Sequence, residues 1–295
     1  MPGPTTTLQR PDIGMCMEEY NVDEAMRGFV ATRCFPVFES ATQSGEIGII
    51  PIEQLLQHRE TLRAMGGEYT KLDFTFTPVT FATRDYGAES PVDDRARAMF
   101  RNMFDAELVA AKRARHTVLL DHELRAMAAI ATPARVAAKA TVSTPWATVA
   151  TATPIADVTT TRKAIWADTG LWPDTILMSK NTYLNVIQCA EVKDTVKYVR
   201  GTRIGDFTEQ DLAVAFDVRN VLVSGTPKNT ADLGQSVSIA SVWDDSYVAV
   251  FKTPSDVNDP NEPCLGRTIH WSADGSNIGT VYESYRDESR RSTMI

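Results

Sequence analysis

Residues 92–132 read VDDRARAMFRNMFDAELVAAKRARHTVLLDHELRAMAAIAT, a run of about forty residues without a glycine or a proline. At about 1.5 Å per residue, a helix of this length would extend roughly 60 Å, about twice the width of a small domain. Ser90 and Pro91 fit the N-cap and first-turn positions, and Pro133 ends the run. The sequence therefore predicts one long spine helix over residues 92–132, which needs support along its length from more than one compact core.

Apolar side chains recur near the helical period through this run and form one stripe. They are Ala96, Met99, Phe100, Met103, Phe104, Leu108, Val109, Leu119, Leu120, Leu124, Met127 and Ile130. The simplest interpretation of the stripe is a core-facing side, and the same residues could also form a seam with neighbouring subunits. Asp93/Arg97 and Asp121/Arg125 are spaced as i,i+4 ion pairs on the solvent side.

Two segments that precede the helix lack a core of their own. Residues 1–20 contain three prolines and little periodicity, which is typical of an extended arm. Residues 45–87 carry two strand patterns, and in the second of them Phe74, Phe76, Val79 and Phe81 alternate with threonines. Because this excursion has too few apolar residues to fold alone, we expect it to lie on another part of the structure, most simply on another subunit.

The residues after the helix alternate between helix and strand patterns around one small sheet. We predict a helix before Trp166, a buried strand over 175–178 that is followed by a helix capped by Ser179, and a capping box at Thr208 and Asp211. Further strands are predicted over 218–223, 237–242 and 247–251, with a polar loop over 225–234. A hairpin is predicted with arms 268–271 and 277–285 around the turn at 274–275.

Composition excludes several classes of protein. The formal net charge of -8 and a pI near 5.1 argue against a protein whose main work is to bind nucleic acid. No apolar stretch is long enough to span a bilayer, and the N-terminus lacks the charged and apolar regions of a signal peptide. The four cysteines, Cys16, Cys34, Cys189 and Cys264, are far apart and favour neither a zinc site nor a disulfide framework.

The motifs that would carry chemistry are incomplete. His122-Glu123 begins like a zinc-protease helix, yet Ala126 stands where the second histidine belongs, which favours a histidine on a helix surface. The segment 256–267 has a proline, an asparagine and an arginine at key positions of a calcium loop. The segment 275–279 is neither a nucleophile elbow nor a phosphate loop. We therefore expect no catalytic, cofactor-binding or metal-binding residues, and no enzyme.

The order of several short segments resembles that of tailed-phage major capsid proteins of the Hong Kong-97 type. The segments are the Phe35-Pro36-Val37 stretch, the strand excursion, residues 86–94 (YGAESPVDD) leading into the helix, residues 172–179 (WPDTILMS) followed by a helix with Tyr183, residues 242–245 (VWDD) and residues 285–292 (YRDESRRS). The resemblance extends from about Asp23 to the end of the chain.

The resemblance implies an α+β phage capsid fold with an N-terminal arm (1–22), an extended β loop (45–87), a peripheral domain (23–44, 88–165 and 244–295) that holds the spine helix, and an axial α/β domain (166–243). It implies a shell subunit that forms pentamers and hexamers of an icosahedral head around double-stranded DNA. The DNA would be contacted only non-specifically. The expected location is the virion, with assembly in the host cytoplasm and without a membrane.

The resemblance also implies where subunits meet. The expected interface residues are Lys71, Phe74, Phe76, Phe81 and Arg84 in the loop, Asp93 and Asp94 at the start of the helix, Lys228 and Asp232 at the axial tip, and Arg286 and Arg290 near the end. A basic cluster of Arg286, Arg290 and Arg291 is interleaved with Asp287 and Glu288, which favours salt bridges over contact with DNA.

Two departures limit what the resemblance implies. Some family members join their subunits through a lysine–asparagine bond, but Lys71 is the only lysine in the loop and we expect no such bond. The chain ends at Ile295, where such proteins often continue into another strand, and this leaves a strand after Arg291 open. Because no large region precedes the arm, we expect a separate scaffolding protein, together with a portal and possible decoration proteins.

Three alternatives remain at the level of the sequence. An encapsulin-like nanocompartment would share the fold and enclose an enzyme cargo. An unrecognised α+β hydrolase would need a pocket with convergent polar groups. A tail-tube or portal subunit would form single rings or tubes.

Overall fold

The computed structural model describes residues 28–72, 75–100, 105–132, 136, 140–200, 208–273 and 283–295. The predicted N-terminal arm, Phe74 and the predicted turn at 274–275 lie outside these residues. The described chain is mixed α+β. Its helices are α1 Ala31–Cys34, α2 Ile52–Leu56, α3 Asp94–Phe100, α4 Ala106–Ala131, α5 Pro154–Thr169, α6 Lys180–Val186, α7 Ala190–Arg200 and α8 Glu209–Ala215.

The strands form short sheets of two or three members. They are β1 Val37–Ser40, β2 Ser44–Ile49, β3 Thr77–Ala82, β4 Pro91–Asp93, β5 Thr175–Ser179, β6 Asn220–Ser224, β7 Pro227–Asn229, β8 Ile239–Ser241, β9 Ala249–Phe251, β10 Thr268–Trp271, β11 Tyr285–Asp287 and β12 Ser292–Met294. No helix of the described residues is long and apolar enough to cross a membrane.

The centre of the molecule is the sheet β6-β5-β9, in which β5 runs parallel to β6 and antiparallel to β9. All five residues of β5 are buried, which explains why TILMS reads as a continuous run rather than an alternating one. Ile176, Met178 and Val221 face one side and pack with helices α5 to α8. The predicted α/β core is therefore present at the predicted place.

The other side of this sheet packs on a different set of elements. Leu177, Leu222 and Phe251 share a buried cluster with Trp243 and with residues of α1 and α4. Successive residues of a strand point to opposite faces, so β5 contributes to both clusters in alternation. The sheet is consequently covered on both faces, by four helices on one side and by the long helix α4 with α1 on the other.

Local capping signals of this core are confirmed. Ser179 caps α6, because its hydroxyl accepts a hydrogen bond from the backbone N–H of Thr182 at 3.2 Å. Thr208 and Asp211 form the predicted capping box at the start of α8. Helix α5 ends at Gly170 with a positive φ of 68°, a conformation that a glycine adopts without strain.

The prediction of one helix over 92–132 is wrong as to its continuity and its start. Residues 91–93 are strand β4, α3 begins at Asp94, and α4 begins only at Ala106. Between these helices Asp105 is extended (φ −86°, ψ 110°), and its carboxylate accepts a hydrogen bond from the N–H of Glu107 at 2.8 Å. Asp105 therefore acts as the N-cap of α4. Aspartate favours the N-cap over the interior of a helix, which explains why the helix begins here rather than running through.

The predicted ion pairs along the helix are confirmed in part. Arg125 binds Asp121 at 2.9 Å. Arg97 pairs with Glu107 at 2.9 Å rather than with Asp93, and this contact links α3 to α4 across the interruption. The carboxylate of Asp93 accepts a hydrogen bond from the N–H of Arg95 at 2.6 Å. The interruption thus redirects Arg97 toward the second helix.

The end of the chain forms the strand that the sequence left open. Strand β12 pairs antiparallel with both β11 and β4, and Ser90 and Ile295 exchange backbone hydrogen bonds of 2.8 and 3.2 Å. Pro91 belongs to this sheet, which is why Ser90 does not cap the helix. Strand β10 pairs in parallel with β1. The predicted hairpin partner of β10 lies mostly outside the described residues.

The predicted domain limits fall within packed elements. The limit at 165/166 lies inside α5, whose Ile155 and Val158 join the core around β5. The limit at 243/244 separates β9 from β5, although the two strands are paired. The division into an axial and a peripheral domain remains a prediction, and the core sheet draws on both sides of it.

Candidate interaction surface

The excursion between α1 and β4 is built on a two-stranded antiparallel hairpin. Strand β2 pairs with β3 from Ser44 opposite Ala82 to Ile49 opposite Thr77. Two stranded sheets are at best marginally stable without a further surface to pack on. Phe81 lies over Gly45, where a Cβ would sit 2.9 Å from its ring, and Phe76 lies over Gly48. The two glycines thus give partial cover to aromatic rings of the opposite strand.

No residue described between Cys34 and Val92 is buried. Exposed large apolar side chains are nevertheless frequent there. They are Ile47, Ile49, Ile52, Leu55, Leu56, Leu62, Met65, Tyr69, Leu72, Phe76, Val79 and Tyr86. Leu62 and Met65, at 85% and 107% of their reference exposure, contact almost nothing. Clusters of exposed apolar side chains are typical of surfaces that bind another protein, a membrane or a ligand. We call residues 45–87 the extended loop.

Polar contacts hold the far end of the extended loop together. The Arg59 guanidinium donates to the carbonyl of Lys71 at 3.1 Å, and the Thr70 hydroxyl donates to the carbonyl of Glu60 at 2.9 Å. The Lys71 ammonium lies 3.4 Å from Glu68, with both side chains at least 80% exposed. These contacts give the tip a shape without burying its apolar side chains. Lys71 therefore has a local, exposed partner within its own chain.

The extended loop touches the rest of the chain at few points. A Cβ at Gly170 would lie 3.1 Å from Leu56 Cδ1, so the glycine at the end of α5 leaves room for α2. At the base of the loop the Arg125 guanidinium lies 3.5 Å from the centre of the Tyr86 ring, a cation–π contact with α4. Arg84 is exposed. The loop is thus anchored at its base and lies open elsewhere.

The junction between the loop and α3 is held by the C-terminal strands. Asp94 forms a bidentate pair with Arg286, with hydrogen bonds of 2.9 and 2.7 Å. The Arg286 guanidinium thereby holds the pKa of the Asp94 carboxyl below its usual value. Arg286 also binds Glu288 at 2.8 Å, and Arg290 lies 3.7 Å from Asp287. Asp94, Arg286 and Arg290, predicted as interface residues, have partners within their own chain.

The hairpin of β7 and β8, predicted above as the axial tip, is a separate surface. Strands β7 and β8 form a small hairpin that contains the half-buried Lys228, and Asp232 is exposed in its turn. Leu233, Val237 and Ile239 are 106%, 71% and 75% exposed on the same hairpin. The sequence predicted a polar loop here, and the structure adds apolar side chains that protrude from it.

Comparison with solved structures identifies the fold. A phage-related protein from Bordetella bronchiseptica RB50 matches 92% of this chain and 88% of its own length, with 21% identity and a TM-score of 0.60. A chain from Microbacterium phage Oxtober96 matches 98% of this chain and 86% of its own length, with 11% identity and a TM-score of 0.52. The chain shares its fold with phage proteins. No family model and no curated protein matches the sequence.

At these sequence identities the similarity is one of fold. It extends over nearly the whole of this chain. Within the described residues, no group of three or more His, Cys, Asp or Glu side chains could hold a metal ion. Within the segment 256–267, considered above as a calcium loop, the Glu262 carboxylate is engaged by the chain itself: it accepts from the backbone N–H groups of Ser255 and Asp256 at 2.7 and 3.0 Å.

Sequence reasoning missed Glu123, which is 1% exposed within the long helix of this fold. Its two oxygens accept hydrogen bonds from the backbone N–H of Ala31 at 2.6 Å and from Trp243 Nε1 at 2.8 Å. Burial raises the pKa of the Glu123 carboxyl, and the hydrogen bonds oppose that shift. The signal in the sequence was its position three residues from Leu120 and from Ala126, inside the apolar stripe.

Proposed function

We propose that this chain is the major capsid protein of a tailed bacteriophage, the subunit that self-assembles into the icosahedral head around double-stranded DNA. The observation that carries the proposal is the extended loop, which is rich in apolar side chains and buries none of its described residues in its own chain. The fold shared with phage proteins supports the same function.

The extended loop would gain its missing cover from a second copy of the chain. Full burial of one leucine-sized side chain contributes roughly 1.5–3 kcal/mol. Several such side chains per loop therefore suffice for a contact between two copies that is weak by itself. The same contact, repeated between all neighbours in a ring, would hold the ring together. Leu55, Leu62, Met65 and Phe76 would lie on the neighbour.

The axial tip would provide the second contact between copies. In pentamers and hexamers the hairpins of β7 and β8 would converge at the ring axis, where Lys228 and Asp232 offer charges of opposite sign. Leu233 and Ile239 would then be covered by the adjacent hairpin. Side chains of opposite charge at the rim of an interface fix orientation more than they add affinity.

The remaining parts of the proposal follow from the role of a shell. The protein would have no enzymatic activity and no cofactor. It would act with a separate scaffolding protein, a portal and possibly decoration proteins, and would be located in the virion after assembly in the host cytoplasm. An acidic chain suits a container for DNA, because like charge limits its adhesion to the packaged genome.

The test is to express the chain and to image the product by electron microscopy after size-exclusion chromatography. The proposal predicts closed shells or rings of five and six subunits. A triple variant, Leu55→Ser with Leu62→Ser and Met65→Ser, should lose assembly and keep the melting temperature of the chain. The matched control, Gln57→Ser with Glu60→Ser and Thr61→Ser, alters the same loop without removing apolar area and should assemble. A wild-type chain that stays monomeric at high concentration would contradict the proposal.

A further inference from the structure

Among the largest fully buried side chains of the described residues, Glu123 is the only one with an ionisable carboxyl group. It projects from α4 into the cluster that contains Val30, Ala31 and Trp243. Burial of a carboxyl group is costly unless hydrogen bonds satisfy it. The local arrangement therefore has to compensate for the burial, and the partners of Glu123 show how it does.

Two donors to Glu123, Ala31 and Trp243, come from distant parts of the chain, and the backbone N–H of Val30, next to Ala31, also acts on its carboxyl. Ala31 is 92 residues away and is the first residue of α1, whose N-cap Val30 provides no side-chain hydrogen bond. Glu123 thus satisfies an N–H group that the first turn of a helix leaves open. Trp243 is 120 residues away, just after β8. One carboxyl group consequently joins the long helix α4, the short helix α1 and the segment that follows β8.

A second buried contact lies beside this arrangement. The hydroxyl of Thr226, which is 1% exposed, donates to the carbonyl of Gly28 at 3.0 Å. Thr226 also accepts, through its carbonyl, the N–H of Val242 at 2.9 Å. The segment around Gly28 to Ala31 is therefore bound from the Thr226 side and from the Glu123 side, and both sides connect to the residues around Trp243.

We propose that Glu123 is a coupling joint, by which we mean that it couples two contacts of α4. The hydrogen bond from Trp243 and the hydrogen bond that attaches the Gly28–Cys34 segment form together and are lost together. The physical reason is that the two N–H donors orient one carboxyl group from opposite ends. When one donor is lost, the carboxyl can rotate and the other hydrogen bond weakens. Movement around Trp243 would thus reach the Gly28–Cys34 segment. The consequence for a shell, that the attachment of residues 28–34 would respond to contacts made near Trp243 between copies, rests on the proposed function, whereas the joint itself does not.

The test is hydrogen exchange of the full-length chain, followed by mass spectrometry on peptides that cover residues 28–35. Trp243→Phe removes the indole donor and leaves Ala31 untouched. Coupling predicts that this variant lowers the protection of residues 28–35, by about 5- to 150-fold for an ordinary coupling free energy. Glu123→Gln should lower it as well, because its amide nitrogen cannot accept a hydrogen bond.

The matched control is Trp146→Phe, which removes the same kind of donor elsewhere. Trp146 Nε1 donates to Asp157 at 2.8 Å in the other core cluster. The control should leave residues 28–35 unchanged. Equal loss of protection in the two tryptophan variants would show a general loss of stability and would overturn the joint.

A second variant keeps the proposal testable if Trp243→Phe fails to fold. Glu123→Asp shortens the side chain by one methylene group, so the carboxyl cannot span both donors. Coupling predicts that residues 28–35 and residues 240–246 lose protection together. Loss at residues 28–35 with full protection at 240–246 would reduce Glu123 to a local cap of α1 and overturn the proposal. All variants are compared in one assembly state, so the result does not depend on whether shells form.

Discussion

At the scale of single residues, the polar groups that sequence predicts well are those whose partners are near in the chain. Ser179, Thr208 and Asp211 cap helices that begin within three residues of them, so their residue type and spacing are sufficient. Glu123 has partners 92 and 120 residues away. A glutamate in a helix is usually exposed to solvent, so the residue type alone does not indicate burial. Only the fold brings Ala31 and Trp243 to Glu123.

The first prediction concerns Glu123 and the pH dependence of stability. Glu123→Gln should lower the free energy of unfolding by about 1–3 kcal/mol, because one buried N–H donor loses its acceptor. Because burial raises the folded-state pKa of Glu123, its contribution is fully present below the unfolded pKa of about 4.3 and is lost as pH rises through the folded-state value.

Urea unfolding of unassembled chains at several pH values checks this prediction. The difference in stability between wild type and Glu123→Gln should shrink as pH rises. The neighbouring groups Arg33 on α1 and Asp121, His122 and Arg125 on α4 are common to both proteins. Cys34 interacts with the Glu123 charge, but burial raises the pKa of its thiol far above the pH range of the experiment. A difference that grows with pH would show that the hydrogen bonds, and not burial, dominate the pKa.

At the scale of elements, the long run without glycine or proline correctly predicted helical structure. It wrongly predicted one continuous helix where the chain forms α3 and α4. Absence of glycine and proline does not exclude an aspartate that caps a second helix, as Asp105 does. Pro91 fitted the first turn of a helix and equally the edge of a sheet, and the pairing with Ser292 to Met294 decides between them. Such a partner at the other end of the chain leaves no local signal.

Asp105 provides a direct test of the interruption. Asp105→Ala should lower the free energy of unfolding by about 1 kcal/mol, since α4 loses its N-cap. Asp105→Asn, which keeps a capping oxygen, is the control and should retain most of the stability. Thermal unfolding measures both. If the helix ran through without a break, alanine would stabilise it, because alanine has the higher helix propensity.

The pair of Asp94 and Arg286 tests how the C-terminal strands hold the junction. Asp94→Arg should increase hydrogen exchange at residues 90–94 and 291–295, because the bidentate contact becomes a repulsion. Adding Arg286→Asp restores opposite charges and should recover part of the protection. Absence of recovery in the double variant would assign the effect of Asp94 to contacts outside its own chain, as the sequence first suggested.

At the scale of the whole molecule, the chain divides into a well-buried centre and an uncovered excursion. The sheet β6-β5-β9 has helices on both faces, and its strands and core could be predicted because strand and helix patterns alternate along the sequence. Its strand order was not predicted, and the predicted strand 237–242 pairs as β8 with β7 outside this sheet. The extended loop could be predicted as lacking a core. What covers it could not be derived from spacing, because a surface outside the loop leaves no pattern within the loop itself.

The most direct measurement is hydroxyl-radical footprinting of the extended loop in assembled particles and in the dissociated chain. Met65 is the reference side chain, because it is fully exposed in the single chain and oxidises readily. If the extended loop lies on a second copy, oxidation of Met65 should fall several-fold on assembly, together with that of Leu62. Equal oxidation of Met65 in particles and in the free chain, or a chain that forms no particles, would contradict the claim that the loop lies on a second copy.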